Sequence, residues 1–157
     1  HRDVEGKVLL VDAFFTACPT ICPVISSQLA RVHHLWSERL EDRVRILSHT
    51  VDPKNDTPER MRRYGERLGA DPAVWKFLTG AESDLYPLLQ EGYLLTALPS
   101  DTAAGGFFHS DQIILVDTEG RLRGTYDGTR TSDVDQMLND MMGLLANAGA
   151  PVGTAQP

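Results

Sequence analysis

Residues 7–15 (KVLLVDAFF) form a nearly unbroken apolar run of strand length, the pattern of a strand covered on both faces. Beyond it the period changes. Ile25, Leu29, Val32, Trp36 and Leu40 recur at spacings of three and four, so an amphipathic helix is expected over 23–40, followed by a strand over 43–51. Thr57-Pro58-Glu59 supplies a capping hydroxyl, a proline at the first helical position and an acid in the first turn, which predicts a helix over 58–68. A short strand at 75–78 and a helix at 83–90 come next. Residues 95–108, with Pro99 and Gly105-Gly106, read as a loop with a polar, mobile tip. Residues 112–116 and 122–126 flank Asp117-Thr118-Glu119-Gly120, the pattern of two antiparallel strands joined by a tight turn. Ser132 and Asp133 open a last helix over 132–146, and the weakly hydrophobic tail, 149–157, is expected to fray.

Strands alternating with helices imply an α/β protein, a central mixed sheet with helices on both faces. The opening of strand, cysteine pair and helix points within that class to a thioredoxin-like fold. A chain of 157 residues suffices for one core and falls short of two ordinary domains, so a single domain over 1–157 is expected, with no internal repeat and no low-complexity segment. At 41% hydrophobic and 24% charged residues the composition is that of a globular protein, and a monomer is expected.

The net charge of -7 excludes a phosphate-backbone partner, since nucleic-acid affinity comes from clustered Lys and Arg. Here Arg60, Arg62 and Arg63 are interleaved with acids as on a solvated helix face. No stretch of about 18 apolar residues occurs, so neither a spanning helix nor a signal peptide is read. The first strand lies a few residues from the start, as in a chain trimmed of a leader or anchor.

Both cysteines, Cys18 and Cys22, lie in Cys18-Pro19-Thr20-Ile21-Cys22-Pro23. A disulfide across so short a loop would stabilise little, so a redox or metal role is the better reading. Proline inside a helix removes a hydrogen bond and clashes with the preceding turn. The regular helix is therefore expected from Pro23, with residues 18–22 as an irregular turn near its positive end, where thiolates are favoured. Two thiolates suit a soft ion of low coordination number, copper(I) above all, whereas zinc ordinarily takes four ligands. A histidine is then the expected third ligand. His34 opposes the apolar stripe, His33 lies at its edge, His1 is terminal, and His49 reads as a strand side chain and the second candidate. His109, after the glycine-bearing loop and ahead of the 112–116 strand, is preferred. Phe107 and Phe108 beside it read as packing residues or as a shield over the site.

Three blocks, GKVLLVDAFFTACPTICP (6–23), VDPKNDTPERMRRY (51–64) and HSDQIILVDTEGRLRGTYDG (109–128), together resemble the Sco (SenC, PrrC) family of copper proteins. The resemblance implies that Cys18, Cys22 and His109 bind copper(I) or copper(II). It also implies service in assembly of the copper centre of cytochrome c oxidase, by handing over metal or by reducing that centre's cysteines, with another cuproprotein or copper chaperone as further possible partners. Residence outside the cytoplasmic membrane, tethered by an N-terminal anchor, is implied too. Asp52 and Asp56 belong to a loop shared with that family; they read first as turn and helix-cap residues, with support of the site the lesser reading. Ala17 stands where many relatives carry a polar or aromatic residue. Two rivals use the cysteines alone. A thiol-disulfide oxidoreductase would take Cys18 and Cys22 as its catalytic pair, although three intervening residues replace the two usual in such enzymes. A thiol peroxidase is prompted by Thr16 and Pro19 around Cys18, but its threonine commonly stands three residues before the cysteine, not two.

Overall fold

The computed structural model describes residues 3–40, 43–103 and 105–147, with the backbone alone for 36–40 and 147. His1, the side chains of Trp36 and Leu40, and the tail 149–157 lie outside the described residues.

The apolar run becomes β1 (Val8–Phe14), every residue of which is buried. It is central because it pairs on both edges. Along one edge β2 (Val44–Thr50) runs parallel, Val8 opposite Val44 and Phe14 opposite Thr50. Along the other, β6 (Gln112–Val116) runs antiparallel, Leu9 opposite Val116. β3 (Trp75–Leu78) extends the sheet beyond β2, and β7 (Leu122–Asp127) extends it beyond β6, giving the order β3-β2-β1-β6-β7. The mixed five-stranded sheet with its helices is the thioredoxin-like arrangement expected from the pattern.

Strand alternation divides the core. Val8, Leu10, Val44, Ile46, Ile113 and Leu115 meet Ile25, Leu29 and Val32 of α1 (Ile21–Leu40) and Val134, Met137 and Met141 of α4 (Thr131–Asn147). Leu9, Val11, Ala13, Leu47, Ile114 and Val116 belong to a second cluster with Leu89, Leu95 and Ala97, which reaches Phe15, Cys18 and Cys22. Removing a leucine or isoleucine from either cluster to alanine costs about 2–5 kcal/mol. In α2 (Pro58–Arg67), Thr57 caps the first turn by accepting from the Arg60 N–H. Tyr64 of α2 shares a 2.9 Å hydrogen bond with Ser26 of α1, and Gly65 admits the Phe77 ring so closely that a Cβ there would lie 2.8 Å from it.

Three expectations are corrected. α1 begins at Ile21, two residues ahead of Pro23, so Cys22 belongs to its first turn. Proline is tolerated there because the N–H groups of a first turn have no partner within the helix. The expected 83–90 helix is α3 (Glu82–Pro87) running into a π-helical turn, Leu88–Gly92. Residues 95–108 are not all loop. β4 (Ala97–Pro99) and β5 (Phe107–His109) pair antiparallel, Ala97 opposite His109, as a separate two-stranded sheet. Both strands are only three residues long, too short for an alternation to be read.

Candidate metal centre

Cys22 is carried by the first turn of α1, His109 by the end of β5, and Cys18 by the coil between β1 and α1. The chain is brought round after Phe15 by the Cys18 N–H, which donates to the Phe15 carbonyl at 3.2 Å. His109 arrives from 87 residues further on, fixed in height by its ladder partner Ala97, which is fully buried. Gly105 at the base of the hairpin loop has φ +81 and packs flat on Phe15; a Cβ would stand 2.7 Å from that ring. Phe15 in turn meets the Phe107 ring at 5.4 Å and the His109 ring edge-on at 5.6 Å. Phe107 is thus a packing residue, while Phe108 is 53% exposed.

The three donor atoms, two Sγ and one imidazole nitrogen, lie within 4.8 Å of one another. His109 Nε2 is 3.0 Å from Cys22 Sγ and 3.6 Å from Cys18 Sγ. The other ring nitrogen, Nδ1, is 3.0 Å from the Ser110 carbonyl. A carbonyl only accepts, so that contact places the ring proton on Nδ1 and leaves the Nε2 lone pair toward the sulfurs.

The two thiols differ. Burial opposes ionisation of Cys18, yet its contacts with the Cys22 thiol, His109 and the Thr20 and Cys22 N–H groups outweigh it and bring its pKa from 9.0 down to about 6. Burial pushes Cys22 strongly the other way, reinforced by its hydrogen bond to Cys18 and by the negative charges of Cys18 and Asp12. In the metal-free pair Cys18 is therefore the thiolate and Cys22 the proton holder.

Of the other histidines, His34 is exposed, as its position opposite the stripe implied. His33, at the edge of the stripe, is buried and accepts the Asp71 N–H through Nε2 beside Trp75. His49 is buried against Tyr93 and does not join the Cys18, Cys22, His109 grouping.

Two acids near the site make contacts the sequence pattern did not announce, although support of the site was the lesser reading of Asp56. Asp12 is 1% exposed; it accepts the Ser48 hydroxyl at 2.5 Å, and Ser48 accepts the Trp75 indole N–H at 2.9 Å. Burial raises its pKa to about 6, against the lowering effect of Ser48 and His109. Its signal in the sequence was a lone acid inside a run of buried strand residues. Asp56 bonds not to its own helix but to Thr16, ahead of Cys18, at 3.0 Å from the backbone N–H. Nothing in the spacing announces a contact across 40 residues.

A thioredoxin-like sheet that closes a cysteine of a first helix turn, a second from the coil before it and a histidine of a hairpin around a single point defines a soft-metal thiolate site on a redox fold. The chain belongs to the SCO1/SenC family, whose model matches residues 1–146. It is 26% identical over 142 residues to the SCO1 protein homolog of Bacillus subtilis, covering 89% of this chain and 72% of that protein. It spans less than two thirds of the length of the other curated relatives it is similar to. Among solved structures, a SCO1/SenC family lipoprotein from Bacillus anthracis shares 27% identity at a TM-score of 0.80, over 92% of this chain and 84% of that one. The fold is also that of copper-bound ScoI from Bradyrhizobium japonicum, at a TM-score of 0.73 and 23% identity, over 91% and 88% of the two chains.

Proposed function

We propose that this protein is a copper metallochaperone that holds one copper ion as cargo on Cys18, Cys22 and His109. It delivers that cargo to the copper centre of cytochrome c oxidase, or reduces that centre's cysteines. The observation that carries the reading is the convergence of two sulfurs and one unprotonated imidazole nitrogen within 4.8 Å. Thiolate sulfur and imidazole together accept both oxidation states of copper, soft ligands favouring copper(I) and the imidazole suiting copper(II). Copper bound in the ScoI relative's structure supports the choice of metal. The lipoprotein relative supports a place outside the cytoplasmic membrane, anchored to that membrane. No helix among the described residues is long and apolar enough to cross a membrane.

Each residue has a distinct part. Cys18, already ionised near neutral pH, is the donor first offered to incoming metal. Cys22 gives up its proton only as it coordinates, so loading releases a proton and grows tighter as pH rises. His109, on a two-strand hairpin outside the main sheet, is the ligand free to adjust between the two oxidation states and to leave first on transfer. Replacing His109 by Ala should abolish tight copper(II) binding and leave weaker copper(I) binding through the cysteines. Anaerobic titration followed by thiolate-to-copper(II) absorption checks this, and unchanged copper(II) affinity in the variant refutes the ligand set.

The same low thiol pKa at Cys18 supports a second reading, reduction of partner disulfides by the Cys18/Cys22 pair without metal. Insulin reduction and peroxide consumption measured beside the copper titration separate the readings. Rapid turnover with negligible copper affinity favours an enzyme, and tight one-to-one binding without turnover the chaperone.

A further inference from the structure

Of the three donors, Cys22 rides on a helix and His109 on a strand of the hairpin, so regular backbone hydrogen bonding fixes each within its own element. Cys18 alone sits on coil. Its N–H bond to the Phe15 carbonyl closes the turn, and the coil just before it, at Thr16, is gripped by one buried carboxylate.

Asp56 lies in the loop between β2 and α2 and is 1% exposed. Its Oδ2 accepts the Thr16 backbone N–H at 3.0 Å and the Thr50 hydroxyl at 2.6 Å, and its Oδ1 accepts the Thr16 hydroxyl at 2.5 Å. The loop is itself tied down: the Asp56 N–H donates to the Asp52 carbonyl at 2.9 Å, and the Asp52 N–H to the Thr50 hydroxyl at 3.0 Å. One carboxylate therefore joins the end of β2, the approach to α2 and the coil two residues before Cys18. Hydrogen bonds to an ionised acceptor are the strong ones, and these are shielded from water. A helix cap needs none of the bonds to Thr16. Thr57 does the capping here.

We infer that Asp56 is a positioning residue for the metal centre, its buried carboxylate gripping Thr16 so that Cys18 Sγ is held in register with Cys22 and His109; this rests on the copper-binding reading above. Thr16 is then part of the site's frame. Partners that orient metal ligands typically account for about 10–100-fold in metal affinity.

The test compares the wild-type chain with Asp56→Asn, which keeps the shape but turns one acceptor into a donor, and with Thr16→Val, which deletes only the side-chain bond. Each is checked for folding by circular dichroism, titrated with copper(I) against a competing chelator, and loaded with copper(II) to record the thiolate charge-transfer bands. Apoprotein alkylation by iodoacetamide reports exposure of Cys22, which is buried in the native turn. The expected result for folded Asp56→Asn is a copper(I) affinity about 10–100-fold weaker, altered copper(II) bands and faster Cys22 alkylation, with a smaller change of the same kind in Thr16→Val. A folded Asp56→Asn with wild-type bands and affinity, even with a lowered melting temperature, overturns the inference. Should that variant not fold, Thr16→Val decides by the same criteria. Failure of the wild type to bind copper would instead remove the copper reading and the inference with it, so the two failures are told apart.

Discussion

Acid should set a destabilising proton-binding difference at one histidine outside the metal centre against a stabilising one at a buried aspartate. His49, on β2, is 4% exposed, neither ring nitrogen has a hydrogen-bond partner among the described residues, and its ring packs against Tyr93 at 5.5 Å. Burial alone pushes its pKa from 6.5 down to about 4. The unfolded chain takes a proton there near pH 6.5 and the native chain only near pH 4, so between those values the unfolded state binds more protons and stability falls as pH falls. Integrating that difference gives a loss of about 2.5 kcal/mol between pH 7.5 and 4.5, with a limit of about 3 kcal/mol below pH 4. Asp12 acts in the opposite sense. Its native pKa of about 6, against 3.8, makes the native state the better proton binder over much of the same window. In the wild-type protein the two slopes largely offset each other, and His49→Phe should expose that of Asp12. Urea unfolding of metal-free protein, followed by tryptophan fluorescence from pH 7.5 to 4.5, measures both chains. The stability of His49→Phe relative to wild type should rise by about 2.5 kcal/mol over that range, whatever packing cost the larger ring brings at every pH. A difference that stays constant with pH would show that native His49 titrates normally, and the reasoning from burial would fail.

Two further outcomes concern the site and its support. In metal-free protein, alkylation of Cys18 by iodoacetamide should climb with pH through about 6, because the thiolate of a lowered pKa persists down to that value, while Cys22 stays protected well above neutrality; mass spectrometry of each cysteine reads this. Gly105→Ala forces a side chain into a left-handed backbone position and against Phe15, and should lower stability by about 1–3 kcal/mol in thermal unfolding.

Much of the architecture was already written in the hydrophobic period. β1 is legible because a central strand needs apolar residues on both faces, and α2 because Thr57 and Pro58 meet local demands of a helix start. The cysteine turn is legible for the same reason, its residues being four apart in the chain. α1 began earlier than Pro23 suggested, since proline's penalty vanishes within a first turn, and β4 and β5 escaped notice because three-residue strands have no period to read.

What amino-acid order determined here is whatever neighbours in the chain decide among themselves: strand, helix, cap, and two sulfurs on one turn. The loop before it and the strand after it already marked His109 ahead of His49, but the distance at which its ring meets the sulfurs was decided by tertiary structure, where β5 pairs with β4. Tertiary structure alone decided that Asp56 reaches back across 40 residues to Thr16, and that His49 is sealed from water. Distances between such remote groups are set by how the sheet closes and its helices pack, and no local spacing encodes them.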